Sequence, residues 1–197
     1  MQEFVFYLKY GIFHILDTNG YDHILFVVAL CAVYTPQDWK KVLILITAFT
    51  VGHSITLVLA TLDLVAYNKD LIEFIIPITI FITAVSNLFK KPSLKTKKIQ
   101  INYLYAVFFG TIHGLAFAGP LSSLFGPGQR VLKPLLAFNL GIEGGQITIV
   151  AIFMVISFIF VSVLGLRKRD WNLIISSAIA GISLVLLLES DYWQKLP

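Results

Sequence analysis

The sequence is poor in cysteine and in charge. Its 197 residues include one cysteine, Cys31, and 13% charged residues, against about 25% charged residues in an ordinary soluble domain. A single cysteine excludes an intrachain disulfide and disfavours a metal site built from thiolates. The N-terminus lacks a basic leader, and no small-residue cleavage site comes before residue 23. We therefore expect no signal peptide.

Apolar residues fill the chain instead. Hydrophobic residues make up 57% of it, with sixteen Phe and eight Tyr, and the mean hydropathy is +0.84. Several apolar runs approach the roughly 20 residues that a helix needs to cross a bilayer. The sequence therefore predicts an all-α protein: a polytopic transmembrane helical bundle of about six or seven helices. Residues 1–197 are expected to form one integral membrane domain, with the lipid bilayer as its partner.

Turn and breaker residues divide the apolar sequence into elements. Their predicted bounds are 4–16, 21–34, 42–61, 71–89, 101–119, 134–166 and 171–188. The first is short for a span, and either Asp17 or Asn19 is a candidate cap for the second. Pro77 predicts a kink, and Pro120 predicts a helix end. The sixth is longer than a span needs, so we expect a strong tilt or a break near Gly144.

The lysines and arginines indicate how the chain is oriented. Loops after the second, fourth and sixth elements contain Lys40, Lys41, Lys90, Lys91, Lys95, Lys97, Lys98, Arg167, Lys168 and Arg169. The opposite loops and the C-terminal tail contain Lys69, Arg130, Lys133 and Lys195. The positive-inside rule places the first set in the cytoplasm and the C-terminus outside. The net charge of +4 is thus a topology signal, and we expect no nucleic-acid partner.

Ionisable residues recur within the apolar segments. His14, Asp17, Asp22 and His23 flank the first turn, and His53, His113 and Glu143 lie in later segments. Such residues are costly in a membrane, so each is a functional candidate. At 1.5 Å per helical residue, His113, His53 and Glu143 lie about 9, 12 and 14 Å from the outer ends of their helices. This agreement in depth predicts one polar cavity in the outer half of the membrane.

Imidazole and carboxylate groups are ligands for divalent transition metals such as zinc and nickel. The sequence predicts a shell made of His23, His53, His113 and Glu143. His14, Asp17 and Asp22 then orient these imidazoles or hold a second ion. Purely structural roles stay open: buried histidines can join helices by hydrogen bonds, Asp22 can cap a helix, and burial can keep Glu143 protonated.

Four ordered motifs resemble the HupE/UreJ family of small bacterial membrane proteins. They are Gly-Tyr-Asp22-His23-Ile-Leu-Phe, Phe49-Thr-Val-Gly-His53-Ser54-Ile-Thr-Leu, His113-Gly-Leu-Ala-Phe-Ala and Phe138-Asn139-Leu-Gly-Ile-Glu143-Gly-Gly-Gln146. The likeness spans roughly residues 11–150 and implies six to seven transmembrane helices in a bacterial inner membrane, which puts the C-terminus in the periplasm. Some family members are regarded as nickel permeases that serve hydrogenase or urease maturation.

The chain departs from the nickel-transport branch of that family at two places. Seven residues lie between His14 and Asp22, where that branch has a histidine five residues before its Asp-His pair. Ala116 replaces a carboxylate of the branch. The match is closer to a second branch, so metal binding carries over more directly than nickel transport.

Three functions fit these observations. The first is a transporter that admits a divalent transition metal, nickel first, from the outside. The second is an intramembrane zinc-dependent hydrolase acting on a lipid, a lipoprotein or a membrane peptide, with Asp22 or Glu143 as general base and Ser54 orienting the substrate. The third is a membrane assembly factor that needs no metal. A pore open to both sides favours transport, whereas a cavity open sideways to lipid favours hydrolysis.

Overall fold

The computed structural model describes residues 1–18, 20–90, 96–126, 130–190 and 192, with side chains for these residues except 96–101. All regular structure within these ranges is helical, so the predicted helical bundle is confirmed. The α-helices are α1 (Gln2–Leu16), α2 (Asp22–Cys31), α3 (Trp39–Thr61), α4 (Lys69–Leu88), α5 (Thr96–Ser122), α6 (Leu132–Ser157) and α7 (Lys168–Leu188). A 3₁₀ turn, Pro36–Asp38, precedes α3, and a π-helical segment, Phe158–Val163, extends α6.

Five helical segments are long and apolar enough to cross a membrane. They are Pro36–Thr61, Lys69–Leu88, Asn102–Ser122, Leu132–Val163 and Lys168–Leu188. The two N-terminal helices are shorter, with 15 residues in α1 and 10 in α2. At 1.5 Å per residue they extend over about 22 and 15 Å, less than the roughly 30 Å thickness of a bilayer core.

The helices pack in pairs around α2. α3 lies along α5, α1 along α6, and α4 along α7, while α2 contacts α4, α6 and α7. Glycines bring the first two pairs together. A methyl group on Gly110 of α5 would overlap the backbone carbonyl oxygen of Phe49, and one on Gly141 of α6 would overlap that of Leu8. Small residues at these crossings therefore let the backbones touch.

The predicted break near Gly144 is not present, and the glycines of this region pack against α1 instead. α6 runs without interruption from Leu132 to Ser157. Gly11, Gly141 and Gly145 all face the α1–α6 contact, so the glycines serve helix packing. The π-helical segment continues α6, so that the span runs from Leu132 to Val163.

One helix end agrees with the predictions and another does not. α5 ends at Ser122, two residues past Pro120, close to the predicted end. The hydroxyl of Ser122 donates to the carbonyl of Ala118 at 2.7 Å. Tyr21, rather than Asp17, occupies the N-cap position of α2. Asn19, the other candidate cap, lies outside the described residues.

Candidate metal centre

All four histidines of the chain converge near the turn between α1 and α2. His14 comes from the end of α1, His23 from the start of α2, His53 from α3 and His113 from α5. The ring centroid of His23 lies 4.7 Å from that of His14, 5.3 Å from that of His113 and 6.3 Å from that of His53. The structure thus brings together imidazoles that are up to 99 positions apart in the numbering.

Three of these histidines form a group suited to a metal ion. His14, His23 and His53 each offer one ring nitrogen, and these atoms lie within 4.8 Å of one another. Two nitrogens on one zinc ion are at most about 4.2 Å apart, because each bond is about 2.1 Å long. Small rotations of the rings would therefore bring all three nitrogens into bonding distance.

Buried ring nitrogens in this cluster have no hydrogen-bond partner within the described part of the chain. They are Nε2 of His14, Nε2 of His23, both nitrogens of His53 and Nδ1 of His113. Native structures leave few buried polar atoms unpaired, so a concentration of them needs an explanation. A bound cation would satisfy several of these lone pairs at once, and the residues present therefore fit a metal ion.

Asp22 orients the central imidazole of the cluster. Its Oδ1 atom lies 3.3 Å from Nδ1 of His23. Because Nδ1 of His23 faces the carboxylate, Nε2 is the ring nitrogen that remains available to bind an ion. A carboxylate that holds the second nitrogen of a metal-binding histidine fixes the tautomer and raises the basicity of the ligand. The position of Asp22 thus fits an orienting role.

Thr79 on α4 orients His113. Its hydroxyl donates to the carbonyl of Ile76 at 2.7 Å and lies 3.4 Å from Nε2 of His113. Because a hydroxyl has one proton, the oxygen of Thr79 is left to accept from Nε2–H. This arrangement places the lone pair of His113 on Nδ1, the nitrogen that has no partner among the described residues.

Replacing Thr79 with valine is expected to weaken metal affinity by about 10–100-fold, the usual effect of removing a group that orients a ligand. Thr79→Ser keeps the hydroxyl and should retain the wild-type affinity. The matched control is Thr83→Val, one turn away, where the hydroxyl donates to the carbonyl of Thr79 at 2.8 Å. Titration calorimetry of the purified proteins measures the affinities. Equal affinities for Thr79→Val and Thr83→Val would contradict this role.

Aromatic rings enclose the histidines. The ring centroid of Phe117 lies 3.7 Å from that of His14, and those of Phe26 and Phe49 lie 5.1 and 5.2 Å from that of His113. His53 and His113 have no exposed surface, and His23 is buried too. Exclusion of water lowers the local dielectric constant, which strengthens the attraction between the site and a cation.

Two of the predicted ligands lie away from the three-histidine group. The carboxylate of Glu143 accepts a hydrogen bond of 2.7 Å from the hydroxyl of Thr47. Thr47 precedes His53 by six residues, which is about 9 Å along a helix. Asp17 is exposed at the C-cap of α1. Neither residue belongs to the metal-suited group found among the described residues. The predicted ligand His113 is not in that group either, although its ring centroid lies 5.3 Å from that of His23.

Glu143 and Ser54 line a separate groove. This groove has a volume of about 280 Å³ and lies between α3 and α6, where Asn139 also lines it. Asn139 comes close to His53, although its Oδ1 atom has no hydrogen-bond partner in the described structure. The polar side chains of α6 thus lie beside the histidine cluster rather than within it.

Two residues that line the site, Thr79 and Phe117, were not predicted from the sequence. Thr79 follows an apolar stretch and precedes Thr83 and Asn87 at spacings of four residues, so a polar stripe on α4 was the available signal. Phe117 follows His113 by four residues, which places both on one helix face. An aromatic residue at that spacing is common in any apolar helix, so its role became visible only in three dimensions.

These observations define a multi-pass helical membrane protein with a buried, histidine-lined candidate metal centre. The family model described as HupE / UreJ protein matches residues 1–194. The chain therefore belongs to the HupE/UreJ family, as its four motifs indicate. Comparison with curated proteins and with solved structures finds no match.

Proposed function

We propose that the protein transports a divalent transition metal ion across the bacterial inner membrane. The observation that carries this proposal is the convergence of ring nitrogens from His14, His23 and His53 to within 4.8 Å of one another in an apolar bundle. Imidazole with a nearby carboxylate suits nickel and zinc. Membership of the HupE/UreJ family puts nickel first.

An acidic cavity gives a cation access to the histidines. It has a volume of about 410 Å³ and is lined by the carboxylates of Asp22, Asp70, Glu73 and Glu189. Lys69 lies 3.3 Å from Glu73, as a partial counter-charge. Clefts lined by one sign of charge concentrate counter-ions. Because Asp22 lines the cavity and also contacts His23, an attracted cation is led toward the cluster.

A polar stripe on α4 continues from the histidines toward the opposite end of the bundle. Thr79 contacts His113, and the hydroxyl of Thr83 donates to the carbonyl of Thr79. Thr83, Asn87 and Lys90 line a cavity of about 160 Å³. At its far end the ammonium group of Lys90 donates to Oδ1 of Asn87 at 3.1 Å. Transport along this route requires that contact to open.

The distribution of charge supports an orientation for this route. The acidic cavity lies where α2 and α4 begin and α7 ends. A second cavity, at the end of α4 and the start of α7, is lined by Lys41, Lys90, Lys168 and Arg169. Basic residues favour the cytoplasmic side. We therefore assign the acidic cavity and the C-terminal end of α7 to the periplasmic side.

Uptake of radioactive nickel, and of zinc for comparison, by vesicles containing the purified protein tests this function. Uptake should exceed that of protein-free vesicles and should disappear when His23 is replaced by alanine. Nickel uptake at the rate of protein-free vesicles overturns the nickel assignment, and the same result for both ions overturns the transporter. A protein that also contains no metal after reconstitution with either ion would support an assembly factor.

A zinc-dependent hydrolase is the second candidate. The groove lined by Glu143 and Ser54 favours it, because Val51, Ile55 and Leu136 of this groove have 48%, 51% and 59% of their surface exposed. An apolar, exposed rim of this kind faces the lipid. A substrate in the bilayer could therefore approach these two residues from the side.

The variant Glu143→Gln separates the two candidates. A transporter should keep its nickel uptake, because Glu143 lies outside the three-histidine group. A hydrolase that uses Glu143 as its general base should lose about 10²–10⁴-fold in rate, the usual contribution of such a group. Glu189→Gln, at the acidic cavity, is the matched control, since it should slow uptake at low nickel concentration and leave hydrolysis unchanged. Nickel uptake and hydrolysis of lipid amides by the zinc-loaded protein are the two measurements.

A further inference from the structure

The cavity at the opposite end of the bundle from the acidic one forms a second charged feature, here called the inner basic cavity. It has a volume of about 520 Å³ and lies between the α2–α3 connection, the end of α4 and the start of α7. The side chains of Lys41, Lys90, Lys168 and Arg169 line it, together with one carboxylate, that of Asp38. Each of the three connections assigned to the cytoplasmic side contributes to this one cavity.

Most of this positive charge is left uncompensated within the cavity. Asp38 pairs with Lys41 at 2.6 Å, and Lys90 donates to the neutral amide of Asn87. Burial lowers the pKa of Lys90 below that of an exposed lysine, and an anion beside the ammonium group would offset that effect. The cavity therefore has the charge of an anion-binding site.

The start of α7 adds to this preference. Lys168 and Arg169 are the first two residues of the helix, where the macrodipole disfavours positive side chains. An anion held there would contact the free N–H groups of the first turn and both cations. The stability of α7 alone therefore does not explain two positive charges at its N-terminus. A bound anion would explain them.

An exposed aromatic side chain connects the cavity to the hydrocarbon region. Phe89 lines the cavity and has 81% of its surface exposed. A free inorganic anion gains nothing from such a ring. A phospholipid with its phosphate in the cavity would instead lay an acyl chain along Phe89 and bury that apolar surface.

From these features we propose that the inner basic cavity binds the phosphodiester headgroup of an anionic phospholipid from the cytoplasmic leaflet. Lys168 and Arg169 hold the phosphate at the N-terminus of α7, Lys90 adds charge from α4, and Phe89 contacts an acyl chain. This site is separate from the histidine cluster and shares Lys90 with the proposed transport route. Its place on the cytoplasmic side rests on the orientation given above. Basic pockets between membrane helices are suited to such headgroups.

Thermal unfolding of the full-length protein in detergent, with added lipid, tests the proposal. Phosphatidylglycerol should raise the melting temperature of the wild type, whereas phosphatidylcholine and inorganic phosphate should not. The double variant Lys168→Gln/Arg169→Gln should need about 30-fold more phosphatidylglycerol for the same shift, because each basic residue near an anionic lipid contributes about fivefold in affinity. The pair formed by Arg167 and Asp170 at 2.7 Å stays in place and preserves the start of α7.

The matched control is Arg130→Gln/Lys133→Gln. It removes the same two kinds of charge from exposed positions outside the cavity and should respond to phosphatidylglycerol like the wild type. Equal lipid responses of the two double variants would overturn the proposal. A shift with inorganic phosphate as large as that with phosphatidylglycerol would also overturn it, by assigning the cavity to a free anion.

Discussion

Replacing His53 with leucine is expected to abolish the stabilisation that a bound metal ion provides. His53 is fully buried, and neither of its ring nitrogens has a hydrogen-bond partner in the described structure. In the metal-free protein the change should raise the free energy of unfolding by about 1 kcal/mol or more, since an unpartnered polar group in an apolar site is unfavourable. At an ion concentration of 100 times Kd, the wild type should gain about 2.7 kcal/mol, and the variant should gain none.

Thermal unfolding with and without nickel or zinc measures both effects. Thr50→Val is the matched control on α3, because Thr50 is also buried but donates a hydrogen bond of 2.8 Å to Gln146. It should lower the stability of the metal-free protein by about 1–3 kcal/mol and keep the shift caused by the ion. A His53→Leu protein that still responds to metal would remove His53 from the site.

Replacing Gly110 with alanine is expected to destabilise the protein by about 3 kcal/mol or more, the upper end of the range for overpacking. The added methyl group would overlap the carbonyl oxygen of Phe49, and a backbone atom cannot move aside as a flexible side chain can. α3 and α5 would have to separate, which also moves His53 away from His113. We therefore expect weaker metal affinity together with a lower melting temperature.

Gly181→Ala provides the comparison for that variant. Gly181 also lies within a helix, α7, but apart from the backbone of that helix no atom of the described residues comes within 4 Å of a methyl group placed there. The substitution should leave the stability unchanged or raise it by up to about 1 kcal/mol, since alanine is the better helix former. Metal affinity and melting temperature are read from the same unfolding curves. Similar losses for both variants would show that the α3–α5 crossing tolerates a side chain.

Much of the fold was predictable because lipid imposes a simple rule. Every backbone polar group in a bilayer must be satisfied within its own segment, so long apolar runs with few charges had to be helices. The predicted spans 42–61 and 71–89 match α3 and α4 to within three residues at each end. Residue spacing and helical rise also placed His53 and His113 at similar depths, where the structure brings both rings close to His23.

One of the predicted alternatives failed at glycine, whose effect depends on the neighbouring helix. The glycines around Gly144 indicated a strong tilt or a break in α6, but the helix is continuous and Gly141 admits the backbone of α1. Glycine both weakens a helix and permits close packing, and a single sequence does not distinguish these two uses.

The sequence by itself determined the class of protein and its helical elements, because hydropathy acts locally along the chain. Only the tertiary structure decided which of the ionisable groups meet. His14 joins His23 and His53, whereas Glu143 contacts Thr47 instead. The physical reason is that a helix forms from its own sequence, but the direction of each side chain depends on how that helix is shifted and rotated against its neighbours. That rotation is set by contacts with other helices, such as the glycine crossing of α1 and α6.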